Sequence, residues 1–489
     1  MGANHADNSM IQIIKMLATG LVLTLFSQTV SAFTLEQFWR ETVNHDPQIR
    51  VYRQRLEAAS QAQPLALAEL LPHISLQSSE QWDQHSIQKP YDKYIPDSVT
   101  LFRNRKNLIG SWSVQIRQAL FNWSALQEYL ASNDQVAAAA AQYQQSLQSL
   151  ERNATVAYTN WLLAYANLQS VKASEKGVAR QAFDAEARYR SGTTGILGVE
   201  ETKVALGQVQ AQLAKAKANW QASTAKLEQF SGSRAPLAAP PLPRVIFLPS
   251  QPIQKWKMEA LMHNPALSVA HFQLASARKG VSAAWGEVLP HLSLVLAHQW
   301  RSENGALGYQ YGLGPGSQYG SVPGSTPASS GSGIADPHKY IGSSVALELN
   351  WPIFSGGSQQ ASLAQAQYRA EENFSILQET QLTIIQELRS AFSGLRGNLQ
   401  QADIYRDSLI TAERASTAAE NGVGVGLVNE NNAIIDRQNA LAVSKSLNGA
   451  IASAVVDFAN LALTAGELTP SLLNRLSVTL SADEKKVEY

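Results

Sequence analysis

Residues 45–82, HDPQIRVYRQRLEAASQAQPLALAELLPHISLQSSEQW, return as residues 263–300, HNPALSVAHFQLASARKGVSAAWGEVLPHLSLVLAHQW, at one constant offset and without a gap. Fourteen of the 38 aligned positions are identical, far above chance, so the chain is a tandem duplication and its fold must be read one repeat at a time. Working outward, Leu120-Phe121 pairs with Ile353-Phe354, and Tyr189-Arg190-Ser191-Gly192 pairs with Ala419-Glu420-Asn421-Gly422. The first repeat spans 33–242 and the second 243–468, followed by a tail, 469–489, with a polar end.

Each copy spells helix, strand, loop, strand, long helix, turn, helix. Pro72 and Pro290 end Ala-rich helical stretches, because proline lacks the amide donor and pushes the preceding residue toward extended backbone. Strands follow near 73–82 and 110–120 in the first repeat and near 291–300 and 341–351 in the second. Their apolar residues alternate: Trp112, Val114 and Ile116; Leu292, Leu294 and Leu296; Val345, Leu347 and Leu349. The intervening segments 83–110 and 301–339 read as long polar loops.

Helical hairpins at 124–231 and 358–465 complete the repeats. Residues 124–190 contain no proline and are rich in Ala, Gln and Leu, which predicts one uninterrupted helix. At 1.5 Å per residue such a helix is about 100 Å long and must lie against neighbours of equal length. The returning arms are half as long. Residues 197–231 are expected to stack on 254–288, and 427–465 on 34–71, each pair matching one long helix.

Composition narrows the function. Only 16% of residues are charged, Lys plus Arg and Asp plus Glu both number 39, and there is no cysteine. A neutral chain offers no field for nucleic acid, and without thiols there are no disulfides, thiolate metal sites or lipid-bearing N-terminal cysteine. Lys15, the apolar run Met16 to Phe26 and the small residues Val30-Ser31-Ala32 read as a secretory signal over 1–32, with Met1 or Met10 as the start. No apolar run long enough for a transmembrane helix is expected after it.

Strands of about ten residues with one apolar face, bordered by Trp82, Trp112, Trp300 and Trp351, suggest a membrane barrel, with the nine alternating residues above turned to lipid. Four strands are too few to close one, since the smallest bacterial barrels use eight, so closure calls for several copies of the chain. Three copies would give a 12-stranded barrel continuous with 12 helical columns. Enzyme signatures such as GxSxG, HExxH and GxxxxGK[ST] are missing, so no catalytic residue, cofactor or metal is expected. His73 and His291 follow repeat-equivalent prolines and read as polar residues at the sheet's edge or lumen. Gly422, Gly424 and Gly426 form a GxGxG run, but at a helix turn with no preceding strand.

With the duplication in place, the junction Asn350-Trp351-Pro352-Ile353-Phe354-Ser355-Gly356-Gly357 gives the chain a resemblance to the TolC-like outer-membrane efflux proteins, extending over 34–466. The resemblance implies a homotrimer in outer-membrane lipid with a large periplasmic portion. It also implies a periplasmic adaptor and an inner-membrane ABC or proton-driven transporter as partners, and passive export of drugs, metals or secreted proteins. Adaptor docking would fall at two helix-reversal tips, Ser191, Gly192 and Thr193, and Asn421, Gly422, Val423 and Gly424. The tunnel entrance would lie near Glu200, Glu201, Val428, Glu430 and Asn431. The family's carboxylates beyond the second tip fall on Val428 and Asn431, so an acidic gate is not carried over. A periplasmic adaptor or coiled-coil scaffold is the alternative, although an adaptor would have one hairpin between β-rich halves.

Overall fold

A computed structural model describes residues 33–89, 99–193, 195–236, 239–243, 251–313, 333–334, 338–468, 471–472 and 476. The expected signal segment and nearly all of the tail lie outside these residues. The elements run α1 (Leu35–His45), α2 (Pro47–Ser60), α3 (Ala62–Ala68), β1 (His73–Lys89), β2 (Val99–Phe121), α4 (Trp123–Arg190), α5 (Ile196–Ser231), α6 (Ile253–His263) and α7 (Pro265–Gly286). They continue with β3 (His291–Leu313), β4 (Gly333–Ile334), β5 (His338–Asn350), α8 (Ser358–Gly424) and α9 (Glu430–Ala465). Both long helices form as expected, with 68 residues in α4 and 67 in α8.

The chain divides into two compact units. One comprises residues 1–56, 139–271 and 376–489, the other 57–138 and 272–375, so each repeat contributes to both.

In the first unit, helix α1 opens on a capping box. Thr34 Oγ1 accepts from the Gln37 amide and Gln37 Oε1 accepts from the Thr34 amide, both at 3.2 Å, which satisfies two end donors that α1 cannot bond internally. Its apolar stripe, Leu35, Phe38 and Trp39, is buried beside Tyr158, Trp161 and Leu162 of α4 and Leu227 of α5. The aromatic rings sit edge to face or offset, as between Phe33 and Trp161, and the Tyr158 hydroxyl donates to the Phe33 carbonyl at 2.7 Å. Helix α9 adds Val455, Phe458, Leu461 and Ala462, all fully buried. By length and composition α9 could cross a membrane, but 61% of its most apolar window is buried inside the protein, as in the core helix of a bundle.

The repeated His-Asx-Pro motif is a junction. Asp46 Oδ1 accepts from the Gln48 amide and Asn264 Oδ1 from the Ala266 amide, each at 2.8 Å, so both residues cap a helix that opens with proline, where the missing N–H costs nothing. The arm α5 ends at Gly232 (φ 66°) against the His45 ring, and α9 ends at Gly466 (φ 74°) against the His263 carbonyl. Asn264 also donates to the Thr464 carbonyl at 2.7 Å, satisfying an orphan acceptor of the last turn of α9. The expected stacking partners are therefore corrected: each arm abuts the junction of its own repeat, not the helices across the repeat boundary. Segments 34–71 and 254–288 are also not continuous helices, because both break at these Asx-Pro steps.

The second unit carries the sheet. Strands β1 and β2 form one antiparallel hairpin, β3 and β5 another, and β2 pairs with β3 between them, while β4 is a two-residue addition to β3. The strands outrun their sequence bounds: residues 83–89, 99–109, 301–313 and 338–339, expected as loop, continue the ladders. Past the apolar alternation, the backbone ladder continues. Among the described residues β1 pairs only with β2 and β5 only with β3, so the sheet ends in two open edges. Around it, Lys279 bonds the Leu130 carbonyl and pairs with Asp134 at 2.7 Å, and Gln118 donates to the Leu70 carbonyl.

Candidate functional site

Two places answer to the sequence expectations: the pair of helix reversals and the apolar sheet face. The first reversal joins α4 to α5. Gly192 has φ 75°, its amide donates to Tyr189 O at 3.0 Å, and the Thr193 amide donates to Arg188 O at 2.9 Å. These are the two bonds of a Schellman cap, which needs a left-handed residue and so favours glycine. Ser191 and Thr193 add hydroxyl bonds to Arg188 O, each at 2.9 Å, and both side chains are exposed.

The second reversal turns at a later glycine than Gly422. Helix α8 continues to Gly424, so Asn421, Gly422, Val423 and Gly424 are its last turn. The left-handed residue is Gly426 (φ 76°), with Gly426 N bonded to Val423 O at 3.2 Å and Leu427 N to Gly422 O at 2.8 Å. Gly426, not Gly422, is thus the counterpart of Gly192. Gly422 serves close packing, since a Cβ there would sit 2.6 Å from Val428. Gly424 faces open space. Asn429 then caps α9 through the Asn432 amide at 2.8 Å. Together the tips expose Ile196, Leu197, Val425 and Leu427, the last 84% exposed.

The expected entrance residues divide. Glu200 pairs with Lys203 at 3.0 Å on the surface, which raises the lysine's pKa, while Glu201 is half-buried. Val428 packs on Gly422, and Asn431 is exposed. Glu430 meets Arg188 of α4 at 3.2 Å with its side chain 15% exposed, so it is tied into the packing rather than held out as a free acidic ring. Sequence reading missed a second ion pair, Arg437 of α9 with Glu420 of α8. Gly177 of α4 makes room for it, since a Cβ there would overlap the Arg437 guanidinium. Burial lowers the Arg437 pKa. A glycine inside an otherwise helical pattern was the available signal. A cavity of about 460 Å³ lies beside these pairs, lined also by Lys176, Arg180 and Gln181. No group of three or more His, Asp or Glu suited to a metal occurs among the described residues.

Strand register gathers the nine alternating residues on one face. Ile116 lies opposite Ile74 and Leu296, Leu296 opposite Val345, Leu294 opposite Leu347, and Leu292 opposite Leu349. Trp112 faces Trp300, and Val114 faces Leu76. Polar residues interrupt this face: Ser78 lies opposite Trp112, Glu80 opposite Gly110 and Gln118 opposite Leu294, and His298 Nδ1 and Ser343 Oγ pair at 2.8 Å beside the Trp112 ring, which leaves neither of these two groups unsatisfied. The opposite face carries Ser75, Gln77, Ser113, Gln115 and Ser344. A sheet apolar on one side, polar on the other and open at both edges can separate lipid from water once further strands complete it.

Comparison with known proteins agrees with this geometry. The chain is 25% identical over 413 residues to outer membrane protein TolC of Escherichia coli (strain K12), covering 83% of this chain and 77% of TolC. It is 24% identical over 438 residues to the alkaline protease secretion protein AprF of Pseudomonas aeruginosa, covering 87% and 84%. In three dimensions it resembles the outer membrane protein VceC of Vibrio cholerae with a TM-score of 0.69 at 18% identity, over 88% of this chain and 96% of VceC. The family model described as outer membrane efflux protein matches residues 39–233 and 256–467, one block in each repeat, and the chain belongs to that family.

Proposed function

We propose that this outer-membrane channel protein is the exit duct of an efflux or type I secretion assembly, formed by three copies whose strands close a 12-stranded barrel continuous with 12 helical columns. One observation carries the reading: the four long strands present a mainly apolar face yet, among the described residues, leave β1 and β5 unpaired at their outer edges. Open edges in lipid would strand backbone donors and acceptors at several kcal/mol each, so copies of the chain must pair them. Energy for transport comes from an inner-membrane ABC or proton-driven transporter, reached through a periplasmic adaptor that docks at the exposed tips. The duct itself catalyses nothing, and its polar, weakly binding inner face favours passage over retention. A periplasmic adaptor, the alternative, would not need two strand pairs, one per repeat.

Reconstitution tests the reading. Protein purified from outer membranes and added to planar bilayers should give discrete, long-lived conductance steps, and deleting its gene should retain cargo inside cells until the gene is restored. A protein recovered from the soluble periplasm that leaves bilayers silent would contradict it. Cargo class follows from the transporter encoded beside the gene.

A further inference from the structure

The polar face of the sheet holds a charged cluster that neither the repeat nor the tips require. Arg117 on β2 donates through Nη1 to Glu348 Oε2 on β5 at 2.6 Å and to Ser293 Oγ on β3 at 3.3 Å, so one guanidinium reaches across three strands. Register sets Arg117 opposite His73, and Ser293 opposite Glu348, so the four residues form a band across the sheet just after the strands begin and end. The band lies on the side of Gln77, Ser113 and Gln115, away from the leucines. Both charged side chains are about half exposed, at 49% and 52%. An exposed pair contributes little to stability, which leaves its electrostatic effect on the adjoining water as its main consequence.

We propose, resting on the reading that this face lines a water-filled pore, that Arg117 and Glu348 form a balanced charge belt that sets the ion selectivity of the barrel. Three guanidiniums and three carboxylates cancel in the trimer, so the belt itself adds no net charge to the path of cargo. Removing one partner leaves three like charges facing the pore.

Reversal potentials of the full-length protein in planar bilayers under a potassium chloride gradient read this out. At about 0.01 M salt the screening length is about 30 Å, long enough for a wall charge to act across the lumen. Glu348→Gln should raise the chloride-to-potassium permeability ratio about twofold or more, Arg117→Gln should lower it by a similar factor, and the double variant should return to the parent value. All differences should collapse near 1 M salt, where screening shortens to about 3 Å. Conducting single variants with the parent reversal potential would overturn the belt. Where a variant does not assemble, the cysteine-free chain offers Ser293→Cys, at which a cationic thiol reagent should favour chloride and an anionic one potassium; complete labelling without a shift also overturns it. Failure of the pore reading itself looks different: silent parent protein, with Leu347→Cys rather than Ser293→Cys reached by water-soluble reagents.

Discussion

Gly192 and Gly426 share a left-handed backbone, whereas Gly424 is helical with open space at its Cβ, and this separates folding from docking at the tips. Gly192→Arg combines a bulky charge with backbone strain, since a non-glycine residue in that region costs about 1–2 kcal/mol. Gly424→Arg adds only the bulk. We expect Gly424→Arg to leave trimer abundance unchanged while abolishing crosslinking to the adaptor and export, with all three quantified in the same cells; normal crosslinking would remove this turn from the docking surface. Sheet parity supplies a second contrast. Leu347 lies on the apolar face and Ala346 on the other, and arginine facing lipid at the bilayer midplane costs roughly 2–4 kcal/mol. Leu347→Arg should therefore deplete membrane trimer far more than Ala346→Arg, and equal losses would show the faces are inverted. In the helical unit, burial pushes the Glu151 carboxyl from an ordinary 4.5 up to about 8. The folded state then holds the proton more tightly than the unfolded chain, so stability falls as pH rises from about 4.5 to about 8, by at most ~1.4 kcal/mol per pH unit, and levels off above. Glu151→Gln should raise the thermal unfolding midpoint at pH 8.5 and leave it nearly unchanged at pH 4.5; parallel curves across that range would mean that burial does not shift this carboxyl.

At the level of elements, the two Asx-Pro junctions hold the returning arms, and their glycines are not equivalent to helix glycines elsewhere. A Cβ at Gly466 would lie 2.4 Å from the His263 carbonyl oxygen at a φ of 74°, so Gly466→Ala meets both a clash with backbone and a conformational penalty. Gly207, helical and facing open space, should gain up to about 1 kcal/mol as alanine. The expected outcome is loss of folded trimer for Gly466→Ala and a modestly higher melting temperature for Gly207→Ala, measured side by side. The junctions were legible because the repeat displayed His-Asx-Pro twice, and the long helices because 124–190 lacks a breaker. The partners of the arms were not legible: stacking is a long-range contact, and segments of similar length allowed either pairing. Strand ends were missed because residues such as Arg103, Asn104, Arg105 and Lys106 carry no apolar alternation, yet the ladder to β1 and β3 continues through them. Within the second tip the capping glycine was read as Gly422 rather than Gly426, because Gly422, Gly424 and Gly426 are indistinguishable as letters, while only Gly426 of the three adopts positive φ. The Arg188–Glu430 and Arg437–Glu420 pairs join residues hundreds of positions apart or across a turn, beyond what spacing reveals.

For the whole molecule, the central claim is that one chain supplies a third of a closed wall. A single sheet with two open edges and an apolar face is an incomplete object in lipid, and the Arg117–Glu348 belt becomes a ring only when copies repeat it. The absence of cysteine makes the protein suited to single-site labelling, so the parity of the sheet and the state of assembly can be read on the same material. The most direct measurement is the protein mass per particle, by light scattering corrected for bound detergent, of material purified from outer membranes in mild detergent. The account predicts three chains per particle, in a form that resists dilution. A particle of one chain, stable and monodisperse, would contradict the closed barrel and with it the duct.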